Sequence, residues 1–298
     1  YSRSADGKLT LLGGLKEVLV GEALHMLRIP CSRVLCILEP DEKLHRPDDD
    51  QCDAKRAQQA SGDAEESVAG TRSCLAIRLM PTHLRVGSLQ ALHRLGHEGE
   101  IFATLCRVIH AHFPEVAVTQ SPSKTLVAWF HAFAGQLGRT IGACISLNLC
   151  HGVLNSDNLL LTGAHLFDFG TFDFSPTLNP SFVAAKFDKH GRYSLGDQQS
   201  ACREQVEGLI PLLLAAIAAA GGGDDPQDML LQEALPAYDS ALEEELNCRI
   251  LLQLGIDLPV VLGEISSTKV GERSDKAETM MPSGPHQQKQ QQQKKQQQ

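Results

Sequence analysis

The sequence lacks the paired cysteine spacings of a structural zinc site and has no apolar run long enough to cross a membrane. Its nine cysteines are scattered without CxxC or CxxH spacing, which favours reduced thiols over a disulfide framework or a zinc centre. The longest apolar run covers residues 209–220. A membrane-spanning helix needs about 20 apolar residues, so this run predicts a buried helix. We therefore expect no membrane partner.

Basic charge is also scarce. The 298 residues carry a net charge of −9 at pH 7, and this acidic balance argues against a nucleic-acid partner. The chain shows no initial methionine and no signal or transit pattern, so we expect the natural protein to begin upstream of Tyr1. A composition of 42% hydrophobic and 21% charged residues is typical of one large or two modest globular domains.

Hydrophobic periodicity predicts a small first part, residues 1–85, that contains strands and one helix. Helical spacing covers about residues 11–28, and aliphatic runs at residues 33–38 and 75–80 predict two antiparallel strands. Between the strands, about residues 40–72 have hardly an aromatic or large aliphatic side chain. Such a segment buries too little apolar area to offset its ordering entropy, so we predict a disordered insertion.

The second part, residues 86–262, is predicted to be mostly helical. Amphipathic or apolar segments predict helices over residues 89–113, 124–147, 201–220 and 227–254, the last as one helix or two. The Gln- and Lys-rich tail at residues 266–298 is of low complexity and is predicted to be disordered. This order of elements predicts an α+β fold with the bilobal plan of a protein kinase.

The segment at residues 151–170, HGVLNSDNLLLTGAHLFDFG, predicts two short strands joined by a tight turn, with polar residues at both ends. Asn158 and Asp168 offer oxygen ligands of the type that Mg2+ prefers. Kinase-like enzymes carry H-x-D, an Asn after four more residues, and then DFG. Here Val153 stands where the usual catalytic Asp would be, and Asp157 directly precedes Asn158, which disfavours an ordinary small-molecule phosphotransferase. The alternative to a nucleotide and metal site is that residues 155–158 form a polar turn and that the DFG sequence occurs by chance.

Four blocks in the same order resemble the selenoprotein O family, also called the YdiU family. They are YSRSADG, GLKEVLVGEALHMLRIP, RLMPTHLR, and CHGVLNSDN with its DFG and the later HGRY. The likeness covers residues 1–193 and fades beyond residue 199. It implies a pseudokinase of kinase fold that uses ATP and Mg2+ to transfer AMP to Ser, Thr or Tyr hydroxyls of proteins. It also implies a mitochondrial location if the source is eukaryotic, and a cytoplasmic one otherwise.

The resemblance further implies a role for each matching residue. Asp157 resembles the proton acceptor, and Asn158 and Asp168 resemble the magnesium ligands. Implied nucleotide contacts are Asp6, Gly7, Arg78, Arg85 and Asp168. Glu17 matches a helix glutamate that pairs with a lysine of the preceding strand, although a solvated surface carboxylate is the other interpretation.

The chain also departs from the family pattern. Thr171 and Asp173 replace a proline and a glycine after the DFG. The expected lysine and glycine-rich loop would lie upstream of Tyr1, so we expect a truncated N-lobe. From these departures we expect impaired AMP transfer in this chain, and a catalytically inactive pseudoenzyme or binding scaffold is the alternative function.

Overall fold

A small antiparallel sheet forms the first part of the computed structural model, which describes residues 7–44, 71–222 and 227–256. Its strands are β1 (Leu9–Thr10), β2 (Arg33–Leu38), β3 (Lys43–Leu44) and β4 (Thr71–Leu79). β4 pairs with each of the other three. The predicted antiparallel pairing of the two longer strands is confirmed, with Leu38 opposite Leu75 and a register shift between Val34 and Cys36.

The predicted insertion is wrong at both of its edges. Lys43 and Leu44 pair with Arg72 and Thr71, so strand pairing resumes five residues beyond Leu38 and ends six residues beyond it, and β4 begins four residues before the predicted start. Backbone hydrogen bonds from β1 and β3 stabilise this extension. Residues 45–70 lie outside the described residues, as does the predicted tail at residues 266–298.

Helix α1 (Leu11–Met26) packs against β2 and β4. Its N-cap is Thr10, whose hydroxyl accepts the N–H of Gly13 at 3.0 Å. It ends where Arg28 adopts a left-handed backbone (φ 56°) and the N–H of Ile29 returns to Leu24 O at 2.8 Å. These bounds confirm the helix predicted near residues 11–28.

The rest of the described chain is mainly helical. Its helices are α2 (Val86–Arg94), α3 (Glu98–His112), α4 (Pro122–Ser146), α5 (Gln198–Glu207), α6 (Ile210–Ala219) and α7 (Gln227–Gln253). The architecture is α+β, as predicted. None of the helices in the described ranges is long and apolar enough to cross a membrane.

Two predicted helices are each broken into a pair. The helix expected over residues 89–113 is interrupted at Gly96, whose φ of 74° belongs to the left-handed region. The helix expected over residues 201–220 is interrupted near Gly208, because Pro211 opens α6 and cannot donate the N–H that a continuous helix would need. In contrast, residues 227–253 form a single helix.

Helices α4 and α7 touch through their backbones. A Cβ added at Gly138 would overlap the carbonyl oxygen of Tyr238, and one at Gly142 would overlap that of Leu242. On its buried side α4 presents Trp129, whose ring stacks on Phe133 with centroids 5.2 Å apart. The candidate site lies wholly within the compact unit that runs to Ile250.

Candidate active site

Backbone hydrogen bonds hold the segment at residues 151–170 from two sides. On one side Val86 donates to Leu159 O, and Leu161 donates to Leu84 O, both at 2.9 Å. On the other side Ser32 donates to Leu166 O at 3.1 Å. The segment is thereby fixed between the residues that lead into α2 and the start of β2.

The predicted strands within this segment are wrong in detail. Leu159 and Leu166 form only an isolated antiparallel bridge, and Leu159 and Leu161 also bond to the chain before α2. The strand pair lies just outside, where β5 (Leu149–Cys150) pairs with β6 (Asp173–Phe174). The turn itself is present, with Gly163 donating to Leu160 O at 2.9 Å.

His151 joins the two polar ends of the segment. It is fully buried, and its Nδ1 accepts the N–H of Val153 at 3.4 Å, so its Nε2–H donates to Phe167 O at 3.1 Å. Burial lowers the pKa of His151 to about 4, because the charged imidazolium is poorly solvated there. A neutral ring with one fixed tautomer therefore positions Asp168, the residue after Phe167.

Gln198 supports this arrangement and was missed by sequence reasoning. Its side chain is fully buried; Oε1 accepts the N–H of His151 at 2.7 Å and Nε2 donates to Leu149 O at 3.0 Å. The one signal in the sequence was the stretch Asp197-Gln198-Gln199, which stands where the resembled family has Asn-Gln-Pro and shares only the glutamine with it. Neither periodicity nor spacing indicates that a glutamine 47 positions away would bond to His151.

Asn158 and Asp168 lie on neighbouring backbone, because Phe167 donates its N–H to Asn158 O at 3.1 Å. The Asn158 amide nitrogen donates to Val153 O at 2.8 Å, which leaves its amide oxygen for another donor or a cation. Asp168 has a left-handed backbone (φ 63°), uncommon for a residue other than glycine, and its Oδ1 accepts the N–H of Gly170 at 3.3 Å.

These donors fit Mg2+. The ion favours oxygen ligands, keeps several waters, and is commonly held by one or two carboxylates together with substrate phosphates. One carboxylate and one amide oxygen match that need. The described residues contain no group of three or more His, Cys, Asp or Glu side chains that would form an all-protein metal cage, and Mg2+ bound with phosphates does not require one.

Asp157 lies against the first turn of α2. Its N–H donates to Asn155 Oδ1 at 2.9 Å, and its carbonyl accepts from Arg85 Nη1 at 3.1 Å. A Cβ added at Gly87 would overlap Asp157 Oδ1, so the carboxylate occupies the space that only glycine leaves open. The N-terminal end of a helix favours negative charge, which suits an ionised carboxylate there.

Glu17 and Arg78 form an ion pair next to these residues. Arg78 Nε donates to Glu17 Oε2 at 2.6 Å and Nη2 to Oε1 at 2.5 Å, and Glu17 is only 1% exposed. The interpretation of Glu17 as a solvated carboxylate is therefore wrong. Burial raises the pKa of Glu17, while Arg78 opposes that shift and the nearby Asp168 carboxylate adds to it.

Both arginines also lie over one aromatic ring. The guanidinium carbons of Arg78 and Arg85 are each 4.6 Å from the centroid of Phe167, a distance at which a cation is attracted to the ring. The structure thus brings together the predicted residues Glu17, Arg78 and Arg85 with Asp168, the neighbour of Phe167.

The other two implied nucleotide contacts, Asp6 and Gly7, lie at the edge of the described residues or outside them. Gly7 is exposed just before β1 with a φ of 69°, and Asp6 lies outside the described residues. Neither the cleft lined by Arg28, Arg139 and Arg249 nor the one lined by Glu22, Arg33 and His165 includes Asp157, Asn158 or Asp168. A carboxylate, an oxygen-donor pair and guanidinium groups are nevertheless the composition that proteins handling nucleotide phosphates use.

Comparison with known proteins places the chain in a family with that chemistry. The family model for protein adenylyltransferase SelO matches residues 1–281, so the chain belongs to this family, and the expectation that the likeness fades beyond residue 199 is wrong. It is 35% identical over 209 residues to the protein nucleotidyltransferase YdiU of Synechocystis sp.. The same-named proteins of Gloeobacter violaceus and Trichormus variabilis are each 31% identical to it, over 265 and 257 residues.

The match covers much of this chain but less than half of each of these bacterial relatives. It spans 70%, 88% and 86% of the chain against 40%, 48% and 47% of the relatives from Synechocystis sp., G. violaceus and T. variabilis. The chain therefore corresponds to under half the length of the curated proteins it matches.

Proposed function

We propose that the protein transfers AMP from ATP to hydroxyl groups of other proteins, with Mg2+ as cofactor. The observation that carries the proposal is the placement of Asp157, Asn158 and Asp168 on one segment that is hydrogen-bonded on both sides. We also propose the bilobal kinase plan for this fold, with residues 1–85 as part of the N-lobe and residues 86–262 as the C-lobe.

In the proposed reaction the acceptor oxygen attacks the α-phosphorus of ATP while the bond from that phosphorus to the bridging oxygen breaks. Pyrophosphate leaves, and Asp157 takes the proton of the acceptor hydroxyl. Asn158 and Asp168 would hold Mg2+, which supplies charge neutralisation for the phosphates. Asp157 is suited to its role because its carboxylate packs against Gly87 in the first turn of α2, which fixes its position.

The arginines would neutralise negative charge on the phosphates. Arg85 is positioned by its bond to Asp157 O and by the ring of Phe167. Arg78 uses Nε and Nη2 on Glu17, which leaves Nη1 for a phosphate oxygen. Guanidinium groups bind phosphate oxygens through charge-assisted hydrogen bonds, so the leaving pyrophosphate would be stabilised from this side.

A second candidate function is a nucleotide-free scaffold without catalysis. It is favoured by the bidentate bond between Glu17 and Arg78. Arg78 is one of the implied nucleotide contacts, and this bond uses its Nε and Nη2 groups. Under this alternative the polar segment is a structural turn, and substitution of Asp157 leaves the protein's behaviour unchanged.

ATP labelled at the α- or the γ-phosphate distinguishes the candidates. The 298-residue chain, and the same chain extended by any residues encoded upstream, are incubated with Mg2+ and a mixture of acceptor proteins. The proposal expects protein-bound label from the α position only, and none with Asp157→Asn. Label from the γ position alone would refute AMP transfer, whereas no label together with no Mg2+-dependent thermal stabilisation by ATP would favour the scaffold.

A further inference from the structure

A charged cleft lies away from the candidate active site. It has a volume of about 270 Å3 and lies between the turn after α1, helix α4 and helix α7. Three arginines and one glutamate line it: Arg28, Arg139, Arg249 and Glu245. The chain as a whole carries a net charge of −9, so this concentration of positive charge is opposite in sign to the protein around it.

Two of the three guanidinium groups are available to a ligand. Arg249 Nε donates to Glu245 Oε1 at 2.6 Å, which offsets the one negative charge of the cleft. Arg28 and Arg139 are exposed, and within the described ranges neither side chain makes a hydrogen bond or ion pair. Among the described residues, the cleft therefore has two positive charges without a counter-ion.

The position of these groups is set by the backbone. Arg28 stands in the left-handed conformation that ends α1 (φ 56°), and its own carbonyl accepts from Arg249 Nη2 at 3.5 Å. Arg249 Nη1 also donates to Leu27 O at 3.1 Å. Arg139 lies on the long helix α4, well inside its C-terminal end at Ser146. A ligand would thus meet two cations on rigid elements.

We propose that this cleft binds a small polyvalent oxyanion of the phosphate class. Guanidinium groups recognise phosphate oxygens through paired, charge-assisted hydrogen bonds. The volume lies just below the roughly 300 to 1,000 Å3 of pockets that bury drug-sized ligands, which favours phosphate, pyrophosphate or a phosphoryl group on a side chain over a whole nucleotide. The site is separate from the proposed nucleotide site and does not depend on it.

A bound anion would join elements that carry the candidate active site. Thr140, which also lines the cleft, donates its hydroxyl to Ala164 O at 2.9 Å, and Ala164 belongs to the turn between Asn158 and Asp168. Arg28 follows α1, the helix that carries Glu17. Occupancy of the cleft is therefore expected to slow hydrogen exchange in both the turn after α1 and the turn at residues 162–165.

Calorimetric titration of the 298-residue chain tests the site directly. Pyrophosphate, orthophosphate, and a phosphoserine peptide with its unphosphorylated counterpart are titrated in EDTA, without nucleotide and at constant ionic strength. We expect saturable binding of one anion per chain. Arg139→Gln should weaken it about tenfold or more, since a charge-assisted bond is lost. Arg107→Gln, which removes the same charge from an exposed position on α3, should not.

The relative affinities of the titrants identify the class of ligand, and the variants identify where it binds. Preference for the free anions indicates a small-molecule ligand, and tighter binding of the phosphopeptide indicates a phosphorylated protein; both support the proposal. Equal affinities of the Arg139→Gln and Arg107→Gln variants would overturn it, as would loss of binding in Arg85→Gln alone or no saturable binding at all. Circular dichroism of each variant checks that the exposed substitutions leave the fold intact.

Discussion

Glu17 and Arg78 face each other in a doubly hydrogen-bonded, buried ion pair formed across 61 positions of the sequence. Their pairing ties α1 to β4, and Arg78 in turn lies over Phe167, the residue before Asp168. One interaction therefore links the helix, the sheet and the proposed metal-binding segment.

Replacement of Glu17 by glutamine is expected to destabilise the protein by about 3 kcal/mol, because it leaves the largely buried charge of Arg78 without its partner. Chemical denaturation measures the free energy of unfolding. Glu22→Gln is the matched control, since Glu22 also lies on α1 and also binds an arginine through two hydrogen bonds, but that pair is exposed. Equal losses for the two variants would show that the Glu17–Arg78 pair has no special role.

The neutral buried state of His151 predicts a pH dependence of stability. Its pKa is about 4 in the folded protein against 6.5 ordinarily, so the unfolded chain binds a proton first as pH falls. The stability contributed by this group is complete above pH 6.5 and is lost progressively towards pH 4, by about 3 kcal/mol in all.

Denaturation at several pH values between 7.5 and 4.5 measures that loss. His151→Gln should lower the stability at pH 7.5 but flatten its decline towards pH 4.5, because a glutamine does not titrate. His190→Gln, at an exposed position, should keep the wild-type slope. A slope unchanged in His151→Gln would contradict the assignment of the buried neutral ring.

Gly87→Ala is expected to lower activity while the protein stays folded. The new methyl group would displace the Asp157 carboxylate, so we expect AMP transfer to fall about tenfold or more, as small misplacements of reacting groups are costly. Alanine favours helix over glycine by about 1 kcal/mol, so the fold should be retained. Gly99→Ala in α3 meets no atom within 4 Å and should leave transfer unchanged; equal activity of the two variants would count against Asp157.

Metal removal and two substitutions should distinguish the roles of the carboxylates. In the presence of ATP we expect Mg2+ to raise the melting temperature and EDTA to reverse that rise. Asp168→Asn should lose the Mg2+-dependent shift, because it loses a charged ligand. Asp157→Asn should keep the shift and lose AMP transfer. A shift lost in Asp157→Asn but kept in Asp168→Asn would reverse the proposed roles.

The backbone contact between α4 and α7 predicts a strict preference for glycine at one position. Gly138→Ala would overlap the carbonyl of Tyr238, and forcing the helices apart is expected to cost about 1–3 kcal/mol. Gly135→Ala is the comparison on the same helix, since its nearest atom is at 3.9 Å, an ordinary contact. It should be neutral or slightly stabilising, and similar losses at both positions would argue against the close approach.

Local patterns were sufficient for much of the fold. Apolar spacing predicted α1 and the pairing of β2 with β4, and the order of Asp157, Asn158 and Asp168 predicted that polar groups would meet on one segment. Those features depend on neighbours in the sequence. Gly96 and Pro211 stand in the sequence close to where the two helices break, but the apolar periodicity continues across both residues and indicates no break.

Long-range contacts were not accessible in this way. Nothing near Gln198 in the sequence indicates that it bonds to His151, and nothing near Gly87 indicates that Asp157 will occupy the space beside it. The partner of Glu17 was expected among residues upstream of Tyr1, whereas within the described residues it is Arg78. These contacts arise from packing between elements, which a pattern of single residues does not encode.

The bonds from Arg249 to the carbonyls at the end of α1 have a consequence for biosynthesis. Arg249 lies 222 positions after Leu27 and 221 positions after Arg28 in the sequence. At about 5–20 residues per second, a ribosome needs on the order of 10–40 s to add that many residues. During this interval the carbonyls of Leu27 and Arg28, just beyond the end of α1, lack the guanidinium donor that Arg249 later supplies.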